Sequence, residues 1–320
     1  MKKIWEYFTV LVVGLLVPLF LLVISNRRIE KKYESDATHT TTESIQQNAT
    51  VDVLIDDQTV VNMPLEDYVF SVVLREMPAD FELEALKAQA VVARTYTLRH
   101  ISKPKHNNAQ VCTESSCCQG YWDPAEYLLN GGTEDNLNKV RNAVEETSGE
   151  ILIYDGKPID ATYFSCSGGM TEDAAAVWGD DVPYLKATAS PGEERASYYV
   201  ETVRMGVADL TDKLGITLQK KSQFTIGNIH YTPGGGVATV DICGQNYTGT
   251  QLRKKLGLRS TAFVISVVGD RITITTKGFG HRVGMSQYGA DAMAIGGADY
   301  VDILLHYYFG VELTAMDAIY

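Results

Sequence analysis

The sequence predicts an α+β body of two lobes, one of them a mostly β insertion, behind an N-terminal transmembrane helix. Three observations carry that expectation. The chain opens with a long apolar run, helix-period and strand-period segments alternate from Val51 onward, and residues 190–276 hold short strands with a single helical piece.

The N-terminal element is residues 4–25, IWEYFTVLVVGLLVPLFLLVIS, whose apolar run over 10–24 matches a hydrocarbon layer roughly 30 Å thick. The next residues, SNRRIEKKYE, contain no small-residue cleavage site, so residues 1–26 are expected to stay as an anchor. Lys2 and Lys3 on one side and Arg27, Arg28, Lys31 and Lys32 on the other nearly balance, and charge alone does not orient the helix. Residues 27–50 include YESDATHTTTESIQQNAT, which has no apolar period and reads as a flexible stalk.

The folded body, residues 51–320, begins with VDVLIDDQTVVNMPLEDYV, an alternating pattern around Asp56-Asp57 that predicts a hairpin. Residues 65–73 predict a short amphipathic helix, and Asp80 is the expected N-cap of a longer one running to about His100. Glu76 then stands between two helices on the rigid Met77-Pro78 corner, while Lys87, Ala90 and Arg94 share one face of the second helix. A helix over 134–147 precedes GEILIYDGKPIDATYFS, two strands joined at Asp155-Gly156. The inserted lobe, 190–276, contains FVISVVGDRITIT and the helical TGTQLRKKLGL, with Thr250 as its expected cap. After it the chain returns to a Gly-rich loop and then helix.

A chain of 320 residues at 45% hydrophobic buries a full core. Its net charge of −12 excludes duplex nucleic acid as the main partner, because phosphate binding needs clustered Lys and Arg. A glycan partner is compatible with that charge.

Four stretches carry candidate chemistry. In LREMPADFELEALKAQAVVART, Glu76 is either one half of an ion pair with Lys87 or Arg94, or a general acid/base held in a cleft by its proline corner. In GFGHRVGMSQYGADAMA, the glycines let backbone approach a ligand with His281 and Gln287 as polar contacts, or simply form a tight loop; neither a dinucleotide fingerprint nor a P-loop is matched. In ATYFSCSGGMTEDAAAVWG, Cys166 with His281 as base would make a thiol amidase or peptidase, whereas Tyr163, Ser165 and Thr171 suit a saccharide-lined cleft, the favoured reading. In HNNAQVCTESSCCQGYW, His106, Cys112, Cys117 and Cys118 are a Cys₃His set for a structural zinc. Disulfides are the alternative for an exported chain, but five cysteines leave one over and adjacent Cys117 and Cys118 do not readily bond to each other.

Together, LEDYVFSVVLREMPADFELEALKAQAVVARTYTLRH, YFSCSGGMTEDAAAVWG and GFGHRVGMSQYGADAMA resemble the stage II sporulation protein D family, engulfment glycan-cleaving enzymes of endospore-forming bacteria, from Val51 to the C-terminus. The resemblance implies a peptidoglycan lytic transglycosylase that prefers peptide-stripped strands and needs no cofactor for its chemistry. It implies Glu76 as the single acid/base, Lys87 and Arg94 as cleft residues, and His281, Ser286 and Gln287 as the substrate loop. The family usually shows His followed by Cys where this chain has Cys117-Cys118. The resemblance also implies a mother-cell membrane location with the body outside the cytoplasm, a sporulation amidase as partner, and a polytopic membrane protein that recruits both. Lys87 and Arg94 are expected to bind lactyl carboxylate or acetamido oxygens, since pairing with Glu76 would lower its pKa. A wall-binding scaffold without activity is a third reading.

Overall fold

The computed structural model describes residues 49–220 and 223–319; the expected anchor and the stalk up to residue 48 lie outside them. Among the described residues no helix is long and apolar enough to cross a membrane.

Strands β1 (Thr50–Leu54) and β2 (Val60–Pro64) form the expected hairpin, closed where the Asp56 carboxylate accepts the N–H groups of Gln58 and Thr59. Helix α1 (Leu65–Glu76) follows directly and buries Leu65, Tyr68, Val69 and Val73. Helix α2 (Leu83–Ser102) is buried along most of its length, with Leu86, Ala90, Val91, Val92 and Ala93 fully buried, so it is a core helix rather than a surface one. It begins at Leu83 after Glu82, not at Asp80. The Phe81 N–H closes a turn onto the Pro78 carbonyl, which places Asp80 inside that turn, and the Glu82 N–H is received by Asp291 instead.

Strand β3 (Val111–Cys112) adds to β1 in parallel. Helix α3 (Pro124–Leu129) is capped by Asp123, and α4 (Glu134–Glu146) by Thr133. Strands β4 (Glu150–Tyr154) and β5 (Lys157–Pro158) turn through Asp155 and Gly156, at φ 49° and 69°, a two-residue turn of the kind that matches strand twist. A short β6 (Tyr163–Phe164) and α5 (Ala174–Trp178) complete this half of the chain.

Residues 200–277 build a separate core. Strands β7 (Val200–Gly206), β8 (Ile226–Tyr231), β9 (Val237–Ile242), β10 (Gln245–Thr248), β11 (Phe263–Val268) and β12 (Arg271–Lys277) form two three-stranded antiparallel sheets, β10-β9-β8 and β11-β12-β7. With α6 (Val207–Leu214) and α7 (Gly249–Leu256) they enclose Leu210, Val240, Ile242, Leu252, Ile272 and Ile274. Thr248 rather than Thr250 caps α7, because Gln251 returns the hydrogen bond to the Thr248 N–H and completes a capping box.

The chain then returns to the elements around α2. Strand β13 (Met285–Ser286) pairs with β6 in parallel, α8 (Gln287–Ile295) and α9 (Tyr300–Tyr307) pack on α2, and β14 (Glu312–Ala315) joins β4. The molecule is thus α+β, with short sheets around a central helix.

Candidate active site

Glu76 is the last residue of α1. The helix stops there because Pro78 has no N–H to continue it, and the Met77 N–H, still bonded to the Val73 carbonyl, fixes the corner over buried Met77. Gln287, the first residue of α8, donates its side-chain amide to the Glu76 carbonyl at 2.9 Å. Backbone on both sides of the acid is therefore held before any substrate arrives.

The side chain opens into a cleft of about 520 Å³, whose walls include Tyr96, Tyr163, Ser165, Tyr198, Phe279, His281, Gln287 and Tyr288. Among the described residues Glu76 is the one carboxylate that lines it. Burial raises its pKa, while the Gly120 N–H, the Arg75 guanidinium and the Tyr163 hydroxyl pull it back. Among the described residues it has no salt bridge.

The two expected cleft cations are elsewhere. Lys87 pairs with Glu84 and Glu146 at 2.7 Å each. Arg94 is fully buried, forked onto Glu66 at 2.6 and 2.8 Å and bonded to the Glu150 carbonyl at 3.0 Å. Their shared helix face is turned toward α1, α4 and β4, so they hold the core together and do not touch the cleft or Glu76. Thr171 and Ser286 also leave the cleft. Thr171 is buried against the Lys186 and Thr188 carbonyls, and Ser286 caps α8 while donating to Glu193 at 2.5 Å.

Tyr163, Ser165, His281 and Gln287 do line it. His281 stands between the Phe164 and Trp178 rings at 5.5 and 5.3 Å, and its Nδ1 accepts the Val283 N–H at 3.1 Å, which leaves the proton on Nε2. Burial, with Arg253 nearby, holds the imidazole down at about 4, so it is neutral near pH 7. Ser165 donates to the Tyr198 hydroxyl at 3.1 Å. The loop behind them is tied by Arg282, at φ 69°, which reaches Glu172 at 3.0 Å and the carbonyls of Ser167, Met170 and Gly234 at 2.7 Å.

Cys166 is not part of this wall. Its thiol is buried against Glu193 at 3.4 Å, and burial pushes it up to about 12, the reverse of what a nucleophile needs. The Cys166/His281 pairing has no geometric support.

The pattern of motifs gave no sign of Gly120. Its N–H meets the Glu76 carboxylate, and a methyl group built on it would lie 2.7 Å from Arg75 Cγ and 2.8 Å from Glu76 Oε1. Tyr198 and Tyr288 were also missed, although Tyr288 sits inside the Gly-rich motif.

The segment that carries Gly120 also carries two of the cluster cysteines. The His106 Nε2 lies 3.5 Å from Cys118 Sγ and 3.8 Å from Cys117 Sγ, the two sulfurs are 3.9 Å apart, and with Cys112 all four donor atoms fall within 4.8 Å of one another. Zinc–sulfur bonds of roughly 2.3 Å at tetrahedral angles put sulfurs about 3.8 Å apart, so the donor set fits a closed NS₃ site. All five cysteines are free thiols.

A sequence model described as stage II sporulation protein matches residues 56–154, a span that holds Glu76, Gly120 and the whole His/Cys cluster. The chain is similar to stage II sporulation protein D of Bacillus amyloliquefaciens, 43% identical over 268 residues that make up 82% of this chain and 77% of the relative. It is equally similar, 43% over 268 residues, to stage II sporulation protein D of Bacillus subtilis, covering 82% and 78% of the two chains. A more distant similarity, 27% over 297 residues, is to the amidase enhancer of Bacillus subtilis, of which 40% is covered. Identity of that level across most of both chains shows that this protein belongs to the stage II sporulation protein D family.

Proposed function

We propose that the protein is a membrane-anchored lytic transglycosylase that cuts peptidoglycan glycan strands between N-acetylmuramic acid and N-acetylglucosamine during sporulation engulfment. The observation that carries this reading is a solitary carboxylate in the cleft, raised in pKa by burial and free of any salt bridge among the described residues. A hydrolase of the usual kind needs two carboxylates. A transglycosylase needs one.

In the reaction, protonated Glu76 gives its proton to the glycosidic oxygen as the bond from that oxygen to muramic C1 breaks. The resulting carboxylate takes the proton of the same sugar's C6 hydroxyl, whose oxygen bonds to C1 and closes the 1,6-anhydro ring. The acid ends as it began. Because the nucleophile already belongs to the substrate, ring closure outruns capture of water in a sheltered cleft. His281 is neutral and adds no charge that would compete with Glu76, and Tyr163, Ser165 and Gln287 offer polar contacts. Tyr198, Tyr288 and Phe279 give the sugar rings apolar faces to lie against.

His106, Cys112, Cys117 and Cys118 would hold a structural zinc. A closed set leaves no position for an activated water, so the metal's contribution is to brace the segment leading to Gly120. The similarity to an amidase enhancer and the family membership support a sporulation amidase as partner, one that supplies peptide-stripped strands, together with a polytopic membrane protein at the mother-cell membrane.

The test is mass spectrometry of peptide-free strands treated with the full chain in detergent, wild type beside Glu76→Gln. Anhydro ends should come from the first and not the second. Anhydro ends from Glu76→Gln, or new reducing ends in place of anhydro ones from wild type, reject the assignment. Binding without any new ends would make the protein a scaffold.

A further inference from the structure

On the far side of Gly120 lies a second depression, of about 690 Å³, walled by Arg75, Ser115, Gly120, Tyr121 and Trp122 among others. Ser115 lines both this depression and the catalytic cleft. Gly120, which faces the second depression, gives its N–H to the Glu76 carboxylate that faces the first. The consecutive side chains of Arg75 and Glu76 close on the same glycine, as the 2.7 and 2.8 Å clearances show. The acid therefore stands on the boundary between two adjoining hollows, where a chain crossing from one to the other presents a bond to it.

Arg75 is exposed, and its guanidinium lies over the Trp122 ring at 5.2 Å. Among the described residues it has no ion pair and no hydrogen bond, although Glu114, Asp123 and Glu126 line the same hollow. Asp123 is already engaged in capping α3. An arginine held near an indole with its N–H groups unused can take a carboxylate through two parallel hydrogen bonds.

Resting on the reading of the cleft as a glycan-cleaving site, we propose that the second hollow continues the glycan groove beyond the cut bond and that Arg75 binds the lactyl carboxylate of a peptide-free muramic acid there. A muramic acid that still carries its peptide has an amide at this position. It offers neither the charge nor the second oxygen. Arg75 is thus a specificity residue: it separates stripped strands from unstripped ones by binding, with no part in the proton transfers.

The experiment measures equilibrium binding, with the full-length Glu76→Gln protein in detergent so that nothing is cut. Labelled peptide-free strands are compared with the same strands after conversion of every lactyl carboxylate to its methylamide. The carboxylate strands should bind about tenfold tighter, as a charge-assisted pair implies. Adding Arg75→Gln should bring that ratio to one, with Arg75→Lys retaining part of it. Equal binding of the two strands by the Arg75-containing protein overturns the proposal without relying on any variant at Arg75, and so does an Arg75→Gln protein that keeps the ratio. The ratio does not depend on turnover: missing anhydro products would defeat the proposed reaction alone, and a missing ratio would defeat this subsite alone.

Discussion

Gly120→Ala separates the placement of the acid from the stability of the fold. The added methyl would sit 2.8 Å from Glu76 Oε1 and 2.7 Å from Arg75 Cγ, well inside van der Waals contact, so the two side chains have to retreat. Both obstacles are side-chain atoms beyond Cβ, one the end of a glutamate and the other the stem of an exposed arginine, and the glycine does not have a left-handed φ. The glutamate end can retreat at little cost, whereas Arg75 Cγ, next to its Cβ, moves only if that exposed side chain turns about χ1. Gly→Ala at a compatible site gains about 0.4–1 kcal/mol from the unfolded state, which offsets much of the local crowding. Catalysis does not give way cheaply, because displacing a reacting group by about 1 Å costs on the order of 100-fold. The expected result is a melting temperature within a few degrees of wild type and a drop of about 100-fold in the single-turnover release of anhydro ends. The Gly120 N–H also lowers the Glu76 pKa, so its loss shifts the basic limb of the rate profile to higher pH. Wild-type turnover with an unchanged pH profile would show that Gly120 does not place the acid. A large fall in melting temperature would show that the segment is structural first.

Further outcomes follow from the same contacts. Burial raises the Glu76 pKa above its unfolded value of about 4.3, so folding is penalised as pH rises through the window between the two and not below it; Glu76→Gln should raise the melting temperature at pH 7 and leave it unchanged near pH 4. Because the proposed reaction starts from the protonated acid, wild-type turnover should fall as pH rises through that raised pKa. Arg94→Met leaves Glu66 without its fork and should cost about 3 kcal/mol in denaturant melts while turnover per folded molecule stays the same; a raised KM at unchanged stability would return Arg94 to the cleft. Chelation should lower melting temperature and anhydro release together, and re-addition of zinc in weak buffer should release protons, because burial holds the Cys118 thiol at about 12 in the metal-free protein. Cys166→Ala should leave anhydro release intact, since that thiol is buried outside the cleft.

The Glu76 corner was legible in the sequence because its cause is local: a helix that must stop at proline puts its last side chain at an end. The hairpin and the Asp155-Gly156 turn were legible for the same reason. Lys87 and Arg94 were not. Helical spacing says that they share a face, but only the packing of α4 and β4 says what that face meets, and Glu146, Glu66 and the Glu150 carbonyl come from distant parts of the chain. Ser286 and Thr171 mislead in another way, since short hydroxyls in Gly-rich loops serve the backbone as readily as a ligand. The two expected helix caps, Asp80 and Thr250, lost to a proline turn and to a better capping box. The cysteine spacing is no standard finger; pairing of β3 with β1 is what fixes Cys112 beside the other donors.

For the proposed reaction, the placement of charge explains why so few groups would suffice. A lysine or arginine paired directly with Glu76 would stabilise its carboxylate and make it a poor proton donor. The fold removes that risk by giving the two helix cations carboxylates of their own, Glu66 for Arg94 and Glu84 with Glu146 for Lys87, and by keeping His281 neutral. Arg75, the nearest cation in sequence, is separated from the acid by Gly120 and lies exposed on Trp122, so burial outweighs it. Holding that separation falls to the segment from Cys112 to Gly120. It is fixed by the β3–β1 pairing, by the His/Cys cluster, and by buried Gln119, which donates to Thr97 at 3.0 Å. A change in the cluster therefore reaches the acid through two residues of backbone, and removal of a metal proposed to sit there should disturb the Glu76 titration before it disturbs the aromatic walls of the cleft.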